Sequence, residues 1–266
     1  MAGLCALDAS IGVRIPTPQP IRRENMVPKY DLEKIKFATD SPTFDKAVDL
    51  YEHEAVTDFK NQFDGYSAVV IGKSPYQVFV SATYYNQGNC ECYLGQNDTL
   101  CKHMVAVAIC AIKMGKNLTD EDKLQRNKLV FIGRKGILNK SELSEFNKSS
   151  TAALRFVKAY LGPSRIWFAY QNSLEEGRNR LASLLSKLPA SRQTTKLVVN
   201  LLLRLDRKLT SGGVDDSDGI VGGFIEEAVK LLIEFAKGDP ECIKEFEKLK
   251  ERDTCFGWED SLLKLL

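Results

Sequence analysis

Histidine and tryptophan are scarce in this chain, with two of each in 266 residues. So little histidine leaves narrow room for nucleophilic or acid–base chemistry, and no G-x-S-x-G stretch offers a serine nucleophile. No window reaches eighteen continuous apolar residues, so no membrane-spanning helix is expected. The first twenty-five residues lack the basic start, apolar run and small-residue cleavage site of a secretory signal. A complete phosphate loop is missing too. Gly72, Lys73 and Ser74 end like one, but the glycine required five positions earlier is Ser67, and strand-like sequence follows where a helix would have to start. GKSP, residues 72–75, therefore reads as a hairpin turn. An even cysteine count is also absent. Seven cysteines in a chain long enough to fold without staples point to a reducing compartment, with the cytoplasm as the expected location, and to thiols used for metal or packing.

What is present is an ordinary globular composition, 44% hydrophobic and 27% charged, with an uneven distribution of charge. Residues 1–100 carry 9 Lys and Arg against 13 Asp and Glu, residues 101–213 carry 21 against 8, and residues 214–266 carry 7 against 14. The basic middle could meet nucleic acid, or it could complete its charge inside the fold against the acidic end.

The pattern of apolar residues divides the chain. Residues 1–40 hold four prolines and no apolar period, and are expected to be an unstructured lead. Ser41 and Pro42 predict an N-cap and first helical position for a helix through about Tyr51. A period of two follows over AVTDFKNQF, YSAVVIG and YQVFVSATYY, three strands, the last placing Tyr76, Val78, Val80, Ala82 and Tyr84 on one face. Residues 41–118 thus form the β-sheet region, 119–148 a basic linker, and 149–266 an all-α region. In the last, Leu181, Leu184, Leu185 and Leu188 make one helical stripe, Leu197, Val198, Leu201, Leu202, Leu205 and Leu209 a second, and Ile220, Phe224, Ala228, Leu231, Leu232 and Phe235 a third. Ser173 with Glu176 reads as a capping box, and Asp239 before Pro240 as another helix start. The expected fold class is α+β, a small antiparallel sheet followed by a helical bundle or irregular solenoid.

The rare ligands gather in CECYLGQNDTLCKH, residues 90–103. In an extended knuckle, residues i and i+2 project to one side, so Cys90 and Cys92 can offer both thiolates to one ion. In a regular helix, i and i+2 lie roughly 200° apart, so Cys101 and His103 can share that ion only if a helix begins between them. Tyr93 to Leu100, with Gly95, Asn97 and Asp98, supply the return loop. Cys90, Cys92, Cys101 and His103 make a closed, tetrahedral set for one structural Zn²⁺. The run after them, MVAVAICAI, is apolar all round. It predicts a helix buried between the sheet and the C-terminal helices, and not one that reads base edges.

The C-x-C, eight-residue loop and C-x-H, preceded by strands and followed by an apolar helix, resemble the SWIM zinc finger. The motif covers residues 90–103 and the domain about 54–115. Tyr93 stands where the family often has proline, which alters the knuckle and leaves the ligands. The resemblance implies DNA binding and protein–protein contact as roles. VDDSDGIVGGFIEEAVKLL is similar to a helical segment in the C-terminal parts of uncharacterised bacterial SWIM-domain proteins, which implies an architecture and no activity.

Other candidates are weaker. Aligning Asp216, Asp218 and Gly219 on an EF-hand loop puts Val214 and Ile225 at ligand positions that need oxygen, so Asp216, Ser217 and Asp218 read as helix caps, with Gly212, Gly213 and Gly219 in the turn. His53 reads as a surface histidine, Cys110, Cys242 and Cys255 as packing residues or free thiols, and the aromatics of RIWFAY as core. With His103 committed to metal and His53 read as a surface residue with no partner cysteine nearby, no histidine is placed to serve a thiol, and the chain is expected not to be an enzyme. Two roles follow. One is a DNA-associated accessory module contacting phosphates through Lys102, Lys113, Lys116, Lys123, Arg126, Lys128, Arg134 and Lys135. The other is an adaptor that binds a protein partner through its helical half.

Overall fold

The structure, a computed structural model, describes residues 26–124, 129–131, 133–164 and 167–266. The apolar period of two over residues 56–81 becomes a sheet, and the helical periods to either side become the layers that cover or follow it. In chain order the helices α1 (Leu32–Ala38) and α2 (Ser41–Glu52) precede the strands β1 (Val56–Asn61), β2 (Gly65–Ile71), β3 (Pro75–Ser81) and β4 (Gly88–Cys90). There follow α3 (Tyr93–Gln96), α4 (Lys102–Lys113), α5 (Asp120–Lys123), α6 (Lys140–Ala153), α7 (Trp167–Leu185), α8 (Arg192–Thr210) and α9 (Ile220–Gly238). A 3₁₀ segment, Pro240–Leu249, and the short α10 (Asp260–Leu263) close the chain. The four strands pair antiparallel in sequence order, and the fold class is α+β. No helix among the described residues is long and apolar enough to cross a membrane.

Tyr66, Ala68 and Val70 on β2 and Val78 and Val80 on β3 form the buried face of the sheet. Against it lies α4, whose residues Met104 to Ile109 are all 3% exposed or less. Its other side is covered by α2, through Phe44, Ala47 and Val48, and by Ile35 of α1. This corrects one expectation. The apolar helix is sandwiched between the sheet and the two preceding helices, and α1, inside the stretch expected to be an unstructured lead, packs on α7 in its place. A seven-residue helix is too short to display a period, though its Asp31 cap accepts from the Lys34 N–H at 2.7 Å. Residues 1–25 of that stretch lie outside the described residues.

Three further boundaries differ. Asp40, not Ser41, caps α2, accepting from the Thr43 N–H at 3.0 Å, since a carboxylate is the stronger acceptor at a helix's positive end. β3 ends at Ser81, so the inward alternation is lost. Tyr84 is 57% exposed, and Tyr85 turns in to meet Thr39. β4 is three residues long, too short to show a period of two.

In the helical half the three stripes line one buried cluster. Leu129 and Phe131 from the stretch expected to be a linker also pack against it, with Phe131 5.2 Å from Phe235 between ring centroids. Asn139 starts α6 with a reciprocal capping box to Glu142, nine residues before the expected start. Asp216 accepts from the N–H groups of Val221 and Gly222, both at 2.8 Å, and so caps α9 as expected. Ser173 and Glu176 do not form a cap, because α7 begins six residues earlier. Ser173 donates instead to the Phe156 carbonyl at 3.0 Å. Glu176 is fully buried and pairs with Lys34 of α1 and with Arg180 at 3.0 Å. Arg180 also reaches Glu33 at 3.2 Å, and Asn179 donates to the Phe37 carbonyl at 3.1 Å.

These contacts hold α1, and with it the sheet region, on the helical half. Glu176→Ala leaves two cations without their buried carboxylate and is expected to cost about 3–5 kcal/mol. Chemical denaturation measures the loss, and hydrogen exchange should rise first in Leu32–Ala38.

Candidate metal centre

Each of the four ligand residues sits where secondary structure changes. Cys90 ends β4, paired with Val78 of β3. Cys92 is the N-cap of α3, Cys101 the N-cap of α4, and His103 the second residue of α4. The helix therefore starts between Cys101 and His103, as the ligand spacing demanded. Neither Cys101 nor its helix uses a side-chain cap bond, which leaves that thiol turned to its neighbours.

The three sulfurs and the imidazole Nδ1 all lie within 4.8 Å of one another, and all four residues are buried. Nδ1 is 3.7 Å from the Cys90 Sγ and 3.9 Å from the Cys101 Sγ. Ligands of a single tetrahedral ion with bonds of ordinary length stand about 3.6–3.8 Å apart. The two imidazole–sulfur distances are close to that spacing, and the cluster could hold one metal ion. Two backbone donors support the sulfurs: the Cys92 N–H points at the Cys90 Sγ at 3.5 Å and the Gly95 N–H at the Cys92 Sγ at 3.4 Å.

Electrostatics argue the same way. The Cys101 thiol is pushed down, first by the hydrogen bond from the Cys90 thiol and further by the imidazole, against the cost of burial. The Cys90 thiol is pushed up, first because it is the donor to Cys101 and second by burial. Three thiols this close cannot all ionise alone, and a divalent cation removes that penalty.

Residues outside the ligand set shape the site. The Tyr76 ring lies 4.7 Å from the imidazole, tilted by 33°. The buried His103 Nε2 has no hydrogen-bond partner, and a methyl group built on Gly72 would lie 3.1 Å from it. With Nδ1 facing the sulfurs, the ring is oriented by packing between Tyr76 and Gly72, where an acceptor usually does this work. Gly95 is tighter still. A side chain there would stand 2.3 Å from the Cys90 carbonyl oxygen and 2.5 Å from the Cys90 Cβ. Gly95 reads in the sequence only as a loop former; its role as the floor under Cys90 depends on a contact five residues back.

The other candidate residues are dispersed. Lys113 pairs with Asp122 at 2.6 Å and Lys123 with Glu52. Lys102 is half-buried, Lys116 and Lys135 are exposed, and exposed Arg134 donates to the Lys187 carbonyl at 3.2 Å. Arg126 and Lys128 lie outside the described residues. His53 is exposed, its Nδ1 2.8 Å from the Asp49 carbonyl. Cys110, Cys242 and Cys255 are free thiols raised above their usual range chiefly by burial. From RIWFAY, Tyr170 is buried and donates to the Lys158 carbonyl at 2.9 Å, while Arg165 and Ile166 fall outside the described residues.

No family model, curated protein or solved structure matches the chain.

The close approach at Gly95 makes a prediction. Gly95→Ala must displace Cys90 and is expected to weaken metal binding about ten- to a hundredfold in chelator competition. Gly223→Ala, where an added methyl meets nothing within 4 Å, should leave it unchanged.

Proposed function

We propose that the chain is a non-catalytic, SWIM-type module stabilised by one structural Zn²⁺ and that it serves as a DNA-associated accessory protein. The observation that carries the metal reading is the closed, buried Cys₃His set. Three thiolates with one imidazole suit zinc, and soft sulfur donors disfavour Mg²⁺ and Ca²⁺. Four protein ligands fill a tetrahedral ion, so none of its positions is left for water or substrate, and the metal's work is to tie the end of β4 to the start of α4. The C-x-C and C-x-H spacing supports the SWIM reading. The surplus of 21 cationic over 8 anionic side chains in residues 101–213 supports an anionic partner. Of the eight candidate basic residues in and after the motif, Lys102, Lys116, Arg134 and Lys135 form no ion pair with a described residue and stay available to phosphate, whereas Lys113 and Lys123 are committed within the fold.

The purified full chain is expected to carry one zinc, and a Cys101→Ser variant to lose most of it, by elemental analysis. Equal zinc in the two proteins would sink the assignment. Because metal binding and local folding are one event in such sites, chelation should raise hydrogen exchange through residues 54–115 and leave α7, α8 and α9 protected.

A further inference from the structure

The helical half presents a basic face that the motif does not predict. Three sets of contacts run α6 and the residues just before and after it alongside α8 in parallel. Gln193 exchanges hydrogen bonds with both backbone groups of Leu138, Arg204 reaches the Thr151 hydroxyl at 3.3 Å, and Lys208 donates to the Val157 carbonyl at 2.6 Å. Lys148, one turn before Thr151 on α6, and Arg155, in the turn just after α6, are both exposed near this contact in sequence. On α8, Lys196 and Arg207 are exposed on the outward side. None of Lys148, Arg155, Lys196, Arg204, Arg207 and Lys208 forms an ion pair with a described residue. At 100° per residue, the carboxylates of α6, Glu145 and Glu142, are turned about 120° and 180° from Thr151. Asp206, the one acid on α8, is buried and accepts from the Cys255 N–H at 2.7 Å and the Trp258 Nε1 at 3.1 Å.

The face is therefore a cluster of like charges, with Asp206 spent elsewhere and Glu145, one turn before Lys148, at its edge. Arg204 and burial both lower the pKa of Lys208, burial more, as expected where cations crowd without a counter-ion. Other cations of the same basic block are neutralised: Arg178 by Glu227 and Arg192 by Glu245 of the acidic end.

We infer that the α6–α8 face binds the phosphate backbone of duplex nucleic acid without reading sequence, a deepening that rests on the proposed association with DNA. Asn147, Thr151 and Asn200, exposed among the cations, add hydrogen-bond donors suited to phosphate oxygens. Neither α6 nor α8 exposes a large apolar or aromatic side chain. That disfavours single strands, which need a stacking platform, and bilayers, which need an apolar edge to insert.

Fluorescence anisotropy with a labelled 20-base-pair duplex of mixed sequence tests this on the zinc-loaded full chain at two salt concentrations. A Lys148→Gln, Arg155→Gln, Lys196→Gln triple variant is expected to bind at least about tenfold more weakly at low salt, with the slope of log affinity against log salt reduced by about 2–3. The charge-retaining Lys148→Arg, Arg155→Lys, Lys196→Arg variant should bind as the unaltered chain does, which separates lost charge from lost fold. If the duplex binds and the triple variant is unimpaired, the face is excluded. The DNA association then survives if Lys102, Lys116, Arg134 and Lys135→Gln together weaken binding. No duplex binding at low salt overturns both. Tighter binding to a single strand of equal length, or to vesicles containing phosphatidylserine, overturns the assignment to duplex.

Discussion

Everything in the N-terminal half is arranged around one geometric demand, that three sulfurs and one imidazole nitrogen from two separate dipeptide pairs meet at a point. Two residues apart suits a strand end for Cys90 and Cys92, and it suits a helix start for Cys101 and His103. A continuous helix suits neither pair. The demand fixes where β4 stops and where α4 begins, and it sets α4 across the inner face of the sheet. The helix can then be apolar on every side, because the sheet lies beneath it and α2 and α1 above. Its hydrophobic sequence is a consequence of being buried all round.

The two halves are held together by different physics. Within each, apolar side chains form a continuous cluster; between them, the contact of α1 with α7 is organised by the buried Glu176, flanked by Lys34 and Arg180. The Arg180 guanidinium lies 5.2 Å from the Phe37 ring centroid and 5.0 Å from that of Phe156, so the cation is sandwiched by one aromatic from each half. A buried ion network is direction-dependent where an apolar seam is forgiving, and it fixes the angle between the halves at some cost in desolvation.

The α+β class, the order of sheet before helices, the three leucine-rich stripes and the start of α4 were all legible in the sequence, because each rests on a period or on ligand geometry that a few residues state plainly. The missed elements are those without a period. α1 is seven residues and β4 three, and both are stabilised by what they touch: α1 by Glu176, 142 residues from Lys34, and β4 by Val78 and the close packing of Gly95. Ser173 and Glu176 imitate a helix start because a capping box is defined by residue types three apart, a spacing that also occurs inside any helix. The orientation of His103 by Tyr76 and Gly72 joins residues 27 and 31 positions away, beyond any local pattern.

The distribution of charge shows why composition alone misplaces a basic surface. The block from residue 101 to 213 is strongly basic as a string, but folding spends its cations unequally. Those on α7 are drawn inward to Glu176 and Glu227, and Arg192 at the start of α8 is drawn to Glu245. The short α5 places Asp122 against Lys113 and Lys123 against Glu52, so the basic stretch just after the motif loses charge to one acid of its own and to one at the end of α2. The α6–α8 face escapes because α6 turns its acids away from α8 and because Asp206 is occupied with the C-terminal loop. Mutual repulsion among those cations is expected to lower stability, most at low ionic strength. A bound polyanion would relieve that repulsion, which is the physical basis of the proposed contact with phosphate.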